Sequence, residues 1–438
     1  MRVAFIEPEV PNTEHSTVSY SARLFIDAIR DAGHQVTAVL PLPRQSLIAD
    51  LATRHRWLEE LRDAGIPTEV VSGDPPNAPI RSRAAGRVDR LRRLLRPRID
   101  DVFPHVALAG AMSEALARAR PDVLFLWGGY EGIAATDGTH LAPRFAFVGD
   151  PVHMPGLFRG LPPLASRRHA WSPSRLVTRL EAARQAQVMV RLLGRCESVA
   201  ATAAHHAAWF RRQGLNGCRY LPNIVPDWGG AQWERRRLAQ PTRRRLKIVC
   251  MGHVGGTATL AGLHLLADET LPALERALGR SFELHICGKG QLPAGLARRL
   301  DRPSVRLRGF VDDIVAELLT ADVFLVPTPI ELGIRVRIPY AWSLGSCVVA
   351  HRANAAGLAE LVHEENALLA SDGVGLAEAV VRACRQPGLR ARLGRAGRRT
   401  YETHFSREVV SAKVVGELER LAGARVAQPQ GFAIGRAA

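Results

Sequence analysis

The chain has almost no lysine: three of its 59 basic residues are Lys (Lys247, Lys289 and Lys413), and the rest are Arg. With abundant Ala and Gly, that ratio is what a GC-rich coding bias produces. The bias explains the choice of Arg over Lys. It does not explain the excess of bases over acids, a formal net charge of +17, which leaves nucleotide phosphates, a membrane surface or nucleic acid open as anionic partners. Cysteine is sparse, at positions 196, 218, 250, 287, 347 and 384, with no CxxC pair. Cys250, Cys287 and Cys347 lie in or beside apolar, strand-like runs, so buried free thiols and a reducing, cytoplasmic compartment are expected. No D-x-D pair occurs, so a metal-bridged diphosphate is not indicated. No apolar run is long enough to cross a membrane. The opening MRVAFIEPEV is not expected to act as a signal peptide, because Glu7 and Glu9 interrupt a very short apolar stretch. Neither an internal repeat nor a low-complexity block is present.

What is present reads as an α/β chain. Its 438 residues are too many for one ordinary core, and two or three domains are the expectation. VAFIEP, a helical stretch over 17–32 closed by Gly33-His34, and VTAVL (36–40) form a βαβ beginning. Further apolar runs at Val123–Trp127, Phe145–Val148 and Val199–Ala201 continue one doubly wound domain over 1–225. Residues 226–245, rich in Pro, Gly and Arg and without period, read as a linker. A second series follows over 246–405, with strands at KIVCMG, FELHICG, VRLRGF, VFLVP and CVVAH. An amphipathic helix is predicted over 406–421 and a disordered tail over 422–438. Two such halves face one another across a cleft, and ligands of open α/β sheets bind at the carboxyl ends of the strands. Gly252, Gly288, Gly309 and Gly333 all fall at such ends.

The segment PTPIELGIRVRIPYAWSLGSCVVAH (327–351) is the most informative. An apolar strand runs to a glycine turn, then to a basic helix start and a second strand. Arg335 and Arg337 in a first helical turn, with free N–H groups after Gly333, suit the oxygens of a diphosphate. The plainer reading is a solvated basic helix end between two buried strands.

Over about 150 residues the second half resembles the nucleotide-sugar domain of retaining glycosyltransferases of the GT-B fold, family four in particular. MGHVGGTATLAGLHLLADETLPAL (251–274) is similar to that family's first strand, glycine loop and helix. ELHICGKGQ and VRLRGFVDD are similar to its next strands and turns, ELGIRVRI to its basic segment, and NALLASD with RARLGRAGRRTYETHFS to its closing pattern. In the first half the opening strand, the helix before Gly33-His34 and LPN (221–223) are also similar. The resemblance implies two Rossmann-like domains, a nucleotide-sugar donor, no cofactor, and transfer with retention to an acceptor held by the first half. Three departures stand out. The Glu that holds the ribose hydroxyls in the family is Tyr340 here, the acidic residue eight positions earlier is Leu332 with Glu331 adjacent, and the first glycine loop lacks the usual Arg and Lys.

On this basis Arg335, Arg337, Gly333, Gly255 and Gly256 are the candidates for the donor diphosphate, where preorganised donors must meet the leaving charge. Tyr340, Gly288 and Lys289 are candidates for the nucleotide. Glu331 offers a sugar hydroxyl contact or a pair for Arg335. Asp150 could orient the acceptor hydroxyl or act as base, or simply start a turn before Pro151, and His153 could touch the donor sugar. His15 and Ser16 occupy the acceptor-loop position. Trp127 could stack on a sugar or pack in the core. The basic stretch 81–98 suits an anionic membrane or a solvated helix, and residues 167–184 repeat the pattern. No nucleic-acid module is present. The expected acceptor is a sugar, a lipid-linked glycan or a small molecule, and the expected location is cytoplasmic, with peripheral membrane contact if 81–98 binds lipid. Two other readings stay open: a non-catalytic GT-B protein and a nucleotide-sugar epimerase.

Overall fold

Buried parallel strands need apolar side chains on both faces, and both halves of the chain supply them in short runs. The computed structural model describes residues 1–14, 18–42, 50–72, 98–154, 158, 173–239 and 245–427. Residues 81–97, His15 and Ser16 therefore lie outside the described residues. The first sheet holds β1 (Arg2–Ile6), β2 (Gln35–Leu42), β3 (Thr68–Ser72), β4 (Val123–Gly128), β5 (Arg144–Val148), β6 (Ser198–Ala201) and β7 (Arg219–Tyr220). The second holds β8 (Leu246–Met251), β9 (Phe282–Cys287), β10 (Val305–Gly309), β11 (Val323–Val326), β12 (Val348–His351) and β13 (Leu368–Ala370). The orders are β3-β2-β1-β4-β5-β6-β7 and β10-β9-β8-β11-β12-β13, with parallel pairing throughout. Each order reverses once, between β1 and β4 and between β8 and β11. Crossovers leave from opposite faces there, which opens a crevice at the carboxyl ends of those strands.

The helices that position the site are α1 (Val18–Asp31), α2 (Ala204–Arg212), α3 (Trp233–Leu238), α4 (Thr257–Leu265), α5 (Arg337–Ser343) and α6 (Arg407–Ala427). The apolar face predicted on the last of these buries Val410, Val414, Val415 and Leu418 against Phe5, Phe25 and Phe125, so the chain returns to cover the first sheet. Burial works against ionisation of Glu417 on α6. Hydrogen bonds from Arg420 and Ser198 and the charge of Arg219 nevertheless hold its carboxyl down at about 2. Trp127 belongs to the first core, 2% exposed, with its ring 4.8 Å from Phe25 and 4.9 Å from Phe147. It packs as core and offers no face to a sugar.

The segment read as a linker carries more structure than its composition suggested. Its helix α3 directs Arg237 to the Ala321 carbonyl at 2.7 Å and the Ser346 hydroxyl at 3.2 Å. Asp227 accepts from Arg398 at 2.5 and 2.8 Å. Fixed side-chain pairs fasten this stretch to the second half.

Candidate functional site

In the second half the loops that leave β8 and β9 are packed backbone on backbone. Gly252 and Gly288 have φ of +151° and +145°, and a Cβ on Gly288 would overlap the Gly252 carbonyl. Only glycine tolerates both demands. Gly252 N–H donates to the Cys287 carbonyl at 2.9 Å, and Gly288 N–H to the Gly309 carbonyl at 2.6 Å. Gly288 is therefore a packing element of the crevice floor. Gly256 is the N-cap of α4, with no side chain capping it, and the ring of His253 lies beside Gly255 and Gly256. Lys289 places its ammonium 4.4 Å from the ring centre of the exposed Phe310.

Arg337 fills the crevice between the β8 and β11 loops. Its Nη1 donates to the Met251 carbonyl and its Nη2 to the Thr328 hydroxyl at 3.1 Å. It is buried, and burial lowers its pKa; among the described residues no carboxylate pairs with it. Arg335 lies alongside. Burial and the charge of Arg337 push its pKa down to about 10, opposed by Asp150. A guanidinium taken out of water without an acid beside it, as Arg337 is, is costly, and an anion relieves that cost. One expectation is corrected here. Arg335 is not in a first helical turn: α5 begins at Arg337 with Val336 as its N-cap, and the Arg335 carbonyl accepts from Ile338 N–H at 2.8 Å. The positive φ of Gly333, +65°, turns the chain so that Arg335 precedes the helix as a loop residue.

The first half meets these arginines through Asp150, just past the end of β5. Its carboxylate lies on the Cα of Gly333, where a Cβ would overlap Oδ1. Burial raises its pKa, and the charges of Arg335 and His205 counter the rise. The Asp150 side chain remains 38% exposed, so a ligand can reach it. The turn expected at Asp150-Pro151 also forms, with Met154 N–H donating to the Pro151 carbonyl at 2.9 Å. His153 is 7% exposed, has its ring 5.1 Å from that of Trp209, and carries an unpartnered Nδ1. Burial lowers its pKa.

Glu331 is exposed at the cleft rim and makes no ion pair with Arg335, while Leu332 beside it is buried. Tyr340 takes a different course from Arg337. Its ring stacks on Trp228 at 4.2 Å and 22°, and burial, then the nearby phenol of Tyr20, raises its pKa.

The sequence reading missed one feature, the adjacent His205 and His206 in the first turn of α2. His206 is fully buried, and its Nδ1 lies 3.8 Å from Asp150 Oδ1. Ala204 N–H donates to the Gly357 carbonyl at 3.1 Å, and His205 rests against the backbone of Glu331 and Ala356. The available signal was two histidines directly after a strand at a cleft-facing end.

Residues 245–386 match the family model of glycosyl transferases group 1. No curated protein matches the chain. Among solved structures, a glycosyltransferase from Rickettsia africae is 12% identical with a TM-score of 0.62, covering 96% of this chain and 98% of that one. Anabaena Alr3699/HepE, solved with UDP, is 15% identical with a TM-score of 0.62, covering 96% and 100%. Sucrose-phosphate synthase from Thermosynechococcus elongatus is 16% identical with a TM-score of 0.62, covering 97% and 99%. These likenesses establish the fold, which is GT-B: two parallel sheets with flanking helices.

Proposed function

We propose that the chain is a glycosyltransferase that moves a sugar from a nucleoside-diphosphate donor to a hydroxyl acceptor held on the first half. The observation that carries this reading is the pair of guanidiniums, Arg337 buried and Arg335 half-buried, at the point where the second sheet reverses its order. Arg337 ties two loops of the crevice together, and Arg335 stands toward the first half. Together they supply the fixed positive charge that a departing diphosphate needs. The match of 245–386 to group 1 glycosyl transferases and the UDP carried by the Anabaena HepE structure support a sugar nucleotide, with UDP as the first nucleotide to try.

In the proposed step the bond between the anomeric carbon and the diphosphate oxygen breaks, and a bond to the acceptor oxygen forms. The negative charge passes to the diphosphate, met by Arg335, Arg337 and the backbone around Gly333, Gly255 and Gly256. The acceptor proton goes to Asp150 or to the leaving phosphate oxygen. His153 and Glu331 contact the sugar, and Tyr340 and Lys289 approach the nucleoside. Because the arginines meet the leaving charge, we assign the reaction no metal. Retention of configuration follows from the family resemblance. The test is a thermal-shift and calorimetric screen with UDP, GDP, dTDP and their sugars, followed by donor turnover. A chain that binds none of them sinks the reading.

The stacking of Tyr340 on Trp228 favours a second reading, a sugar-nucleotide binder without catalysis. Donor binding with no hydrolysis and no transfer would select it.

A further inference from the structure

Among the described residues three groups near Asp150 lack a hydrogen bond, the Tyr130 hydroxyl and the rings of His205 and His206, and of these His206 places a ring nitrogen within 4 Å of the carboxylate. His206 is 0% exposed, and neither ring nitrogen has a hydrogen-bond partner. A buried imidazole with no protein group hydrogen-bonded to it calls for an explanation. Among the described residues Asp150 is the one acid with a carboxylate oxygen within 4 Å of the ring, its Oδ1 lying 3.8 Å from Nδ1. No metal role competes, since no group of three or more His, Cys, Asp or Glu among the described residues is arranged to hold a metal ion.

The surroundings decide which form the ring takes. Burial, the neighbouring imidazoles of His205 and His153, and the charge of Arg335 push the His206 pKa down to about 3. The ring is neutral at working pH. A neutral imidazole carries its single proton on one nitrogen, and a carboxylate beside Nδ1 selects that nitrogen. The ring is held in place from behind. The ring of His205 lies 3.9 Å away and rests on the backbone of Glu331 and Ala356 in the second half. The charged and titratable groups around Asp150 are Tyr130, His205, His206 and Arg335. Of these, Tyr130, His205 and His206 lack hydrogen-bond partners, and His206 is the one with a ring nitrogen 3.8 Å from Asp150 Oδ1.

We infer that His206 is a positioning residue for Asp150: its Nδ1–H faces the carboxylate and holds it toward the cleft. The inference rests on the acceptor role proposed for Asp150. It adds a part for a residue that touches neither donor nor acceptor. Because His205 bears on the second half, the ring that aims Asp150 is itself seated by the contact between the two halves.

The test needs no knowledge of the donor. Protein with ring-15N histidine is examined by NMR at about pH 7, where an unperturbed histidine is mostly neutral. The His206 signals are assigned by their loss in His206→Phe. The expected result is a neutral ring protonated at Nδ1 that loses this preference in Asp150→Ala. The 13C titration of the Asp150 carboxyl gives the second readout. Loss of the N–H that faces the carboxylate from 3.8 Å should raise its midpoint in His206→Phe, by up to about one pH unit, a tenfold change in proton affinity. His206→Asn, whose amide can make the same donation, should return the midpoint toward the native value. A purely structural ring would move neither signal. A ring protonated at Nε2, or a midpoint equal in the native chain and in a folded His206→Phe variant, overturns the inference. Nucleotide affinity by calorimetry separates this from the parent reading. Loss of the His206 signature with nucleotide binding intact counts against His206 alone, whereas a native chain that binds none of UDP, GDP and dTDP counts against the proposed function.

Discussion

The carboxylate of Asp150 rests on the Cα of Gly333, and no side chain larger than hydrogen fits between them. This contact joins the strand end of one sheet to the basic loop of the other. It brings an acid and Arg335 to the same side of the cleft. It also explains a glycine that backbone conformation alone explains only in part, since φ of +65° and the lack of space act together.

Gly333→Ala should therefore lower the melting temperature. The left-handed conformation costs a non-glycine residue about 1–2 kcal/mol, and the overlap with Asp150 adds to it. In the double variant with Asp150→Ala the overlap disappears and only the backbone strain remains. The two changes should be less than additive, as contacting residues are. Strict additivity in thermal unfolding would show that the two residues do not touch.

Arg335→Ala and Arg337→Ala should each weaken nucleoside-diphosphate binding by on the order of 1.5–3 kcal/mol, the worth of a charge-assisted hydrogen bond. Their effects on stability should differ. Arg337 ties the Met251 carbonyl to the Thr328 hydroxyl, so its loss also loosens the crevice. Arg335 makes no such bridge, and its removal should leave the melting temperature near the native value. Calorimetry with UDP, paired with thermal unfolding, reads both; unchanged affinity in both variants would place the diphosphate elsewhere.

Tyr340→Phe keeps the ring that stacks on Trp228 and removes only the hydroxyl. Stability should be nearly unchanged, and UDP binding should fall about fivefold, the loss of roughly one neutral hydrogen bond. Equal affinity in the two proteins would confine Tyr340 to the stack.

Turnover should survive EDTA and show no stimulation by Mg²⁺ or Mn²⁺, because the proposed stabilisation of the leaving diphosphate comes from Arg335 and Arg337. Activity abolished by the chelator and restored by either ion would contradict this.

The Glu417 carboxyl sits at about 2 in the folded chain, below its ordinary 4.5. A depressed acid favours the folded state when ionised. Its contribution is fully present above about 4.5 and is lost as pH falls toward about 2. Melting temperature should drop across that window. Glu417→Gln should melt lower than the native chain at neutral pH and lose less on acidification through it. Parallel curves for the two proteins would remove Glu417 from the acid response.

The local features of this protein were legible in its residues. Short runs such as VAFI, FELHIC and VFLV read as buried strands, and the glycine just past FELHIC marks a turn that other residues resist. Val and Leu at helical spacing in α6 foretold an apolar face. Those signals lie within a dozen residues, where sequence order and spatial order agree. What packs against what is a different matter. Nothing in α6 says that it covers the first sheet, since any apolar surface would satisfy Val410, Val414 and Leu418. Composition made 226–245 a featureless linker, because the carbonyls of Leu318 and Ala321 that hold Arg237 lie far along the chain. Arg335 read as helical from its spacing to Arg337, and the turn at Gly333 moved it into the loop. His205 and His206 drew no notice, because one histidine pair after a strand resembles any other. Their partners, Asp150 and the backbone of Glu331, come from a different strand and from the other half. Spacing along the chain determines which face of an element a residue takes, and only the meeting of two sheets determines what that face opposes.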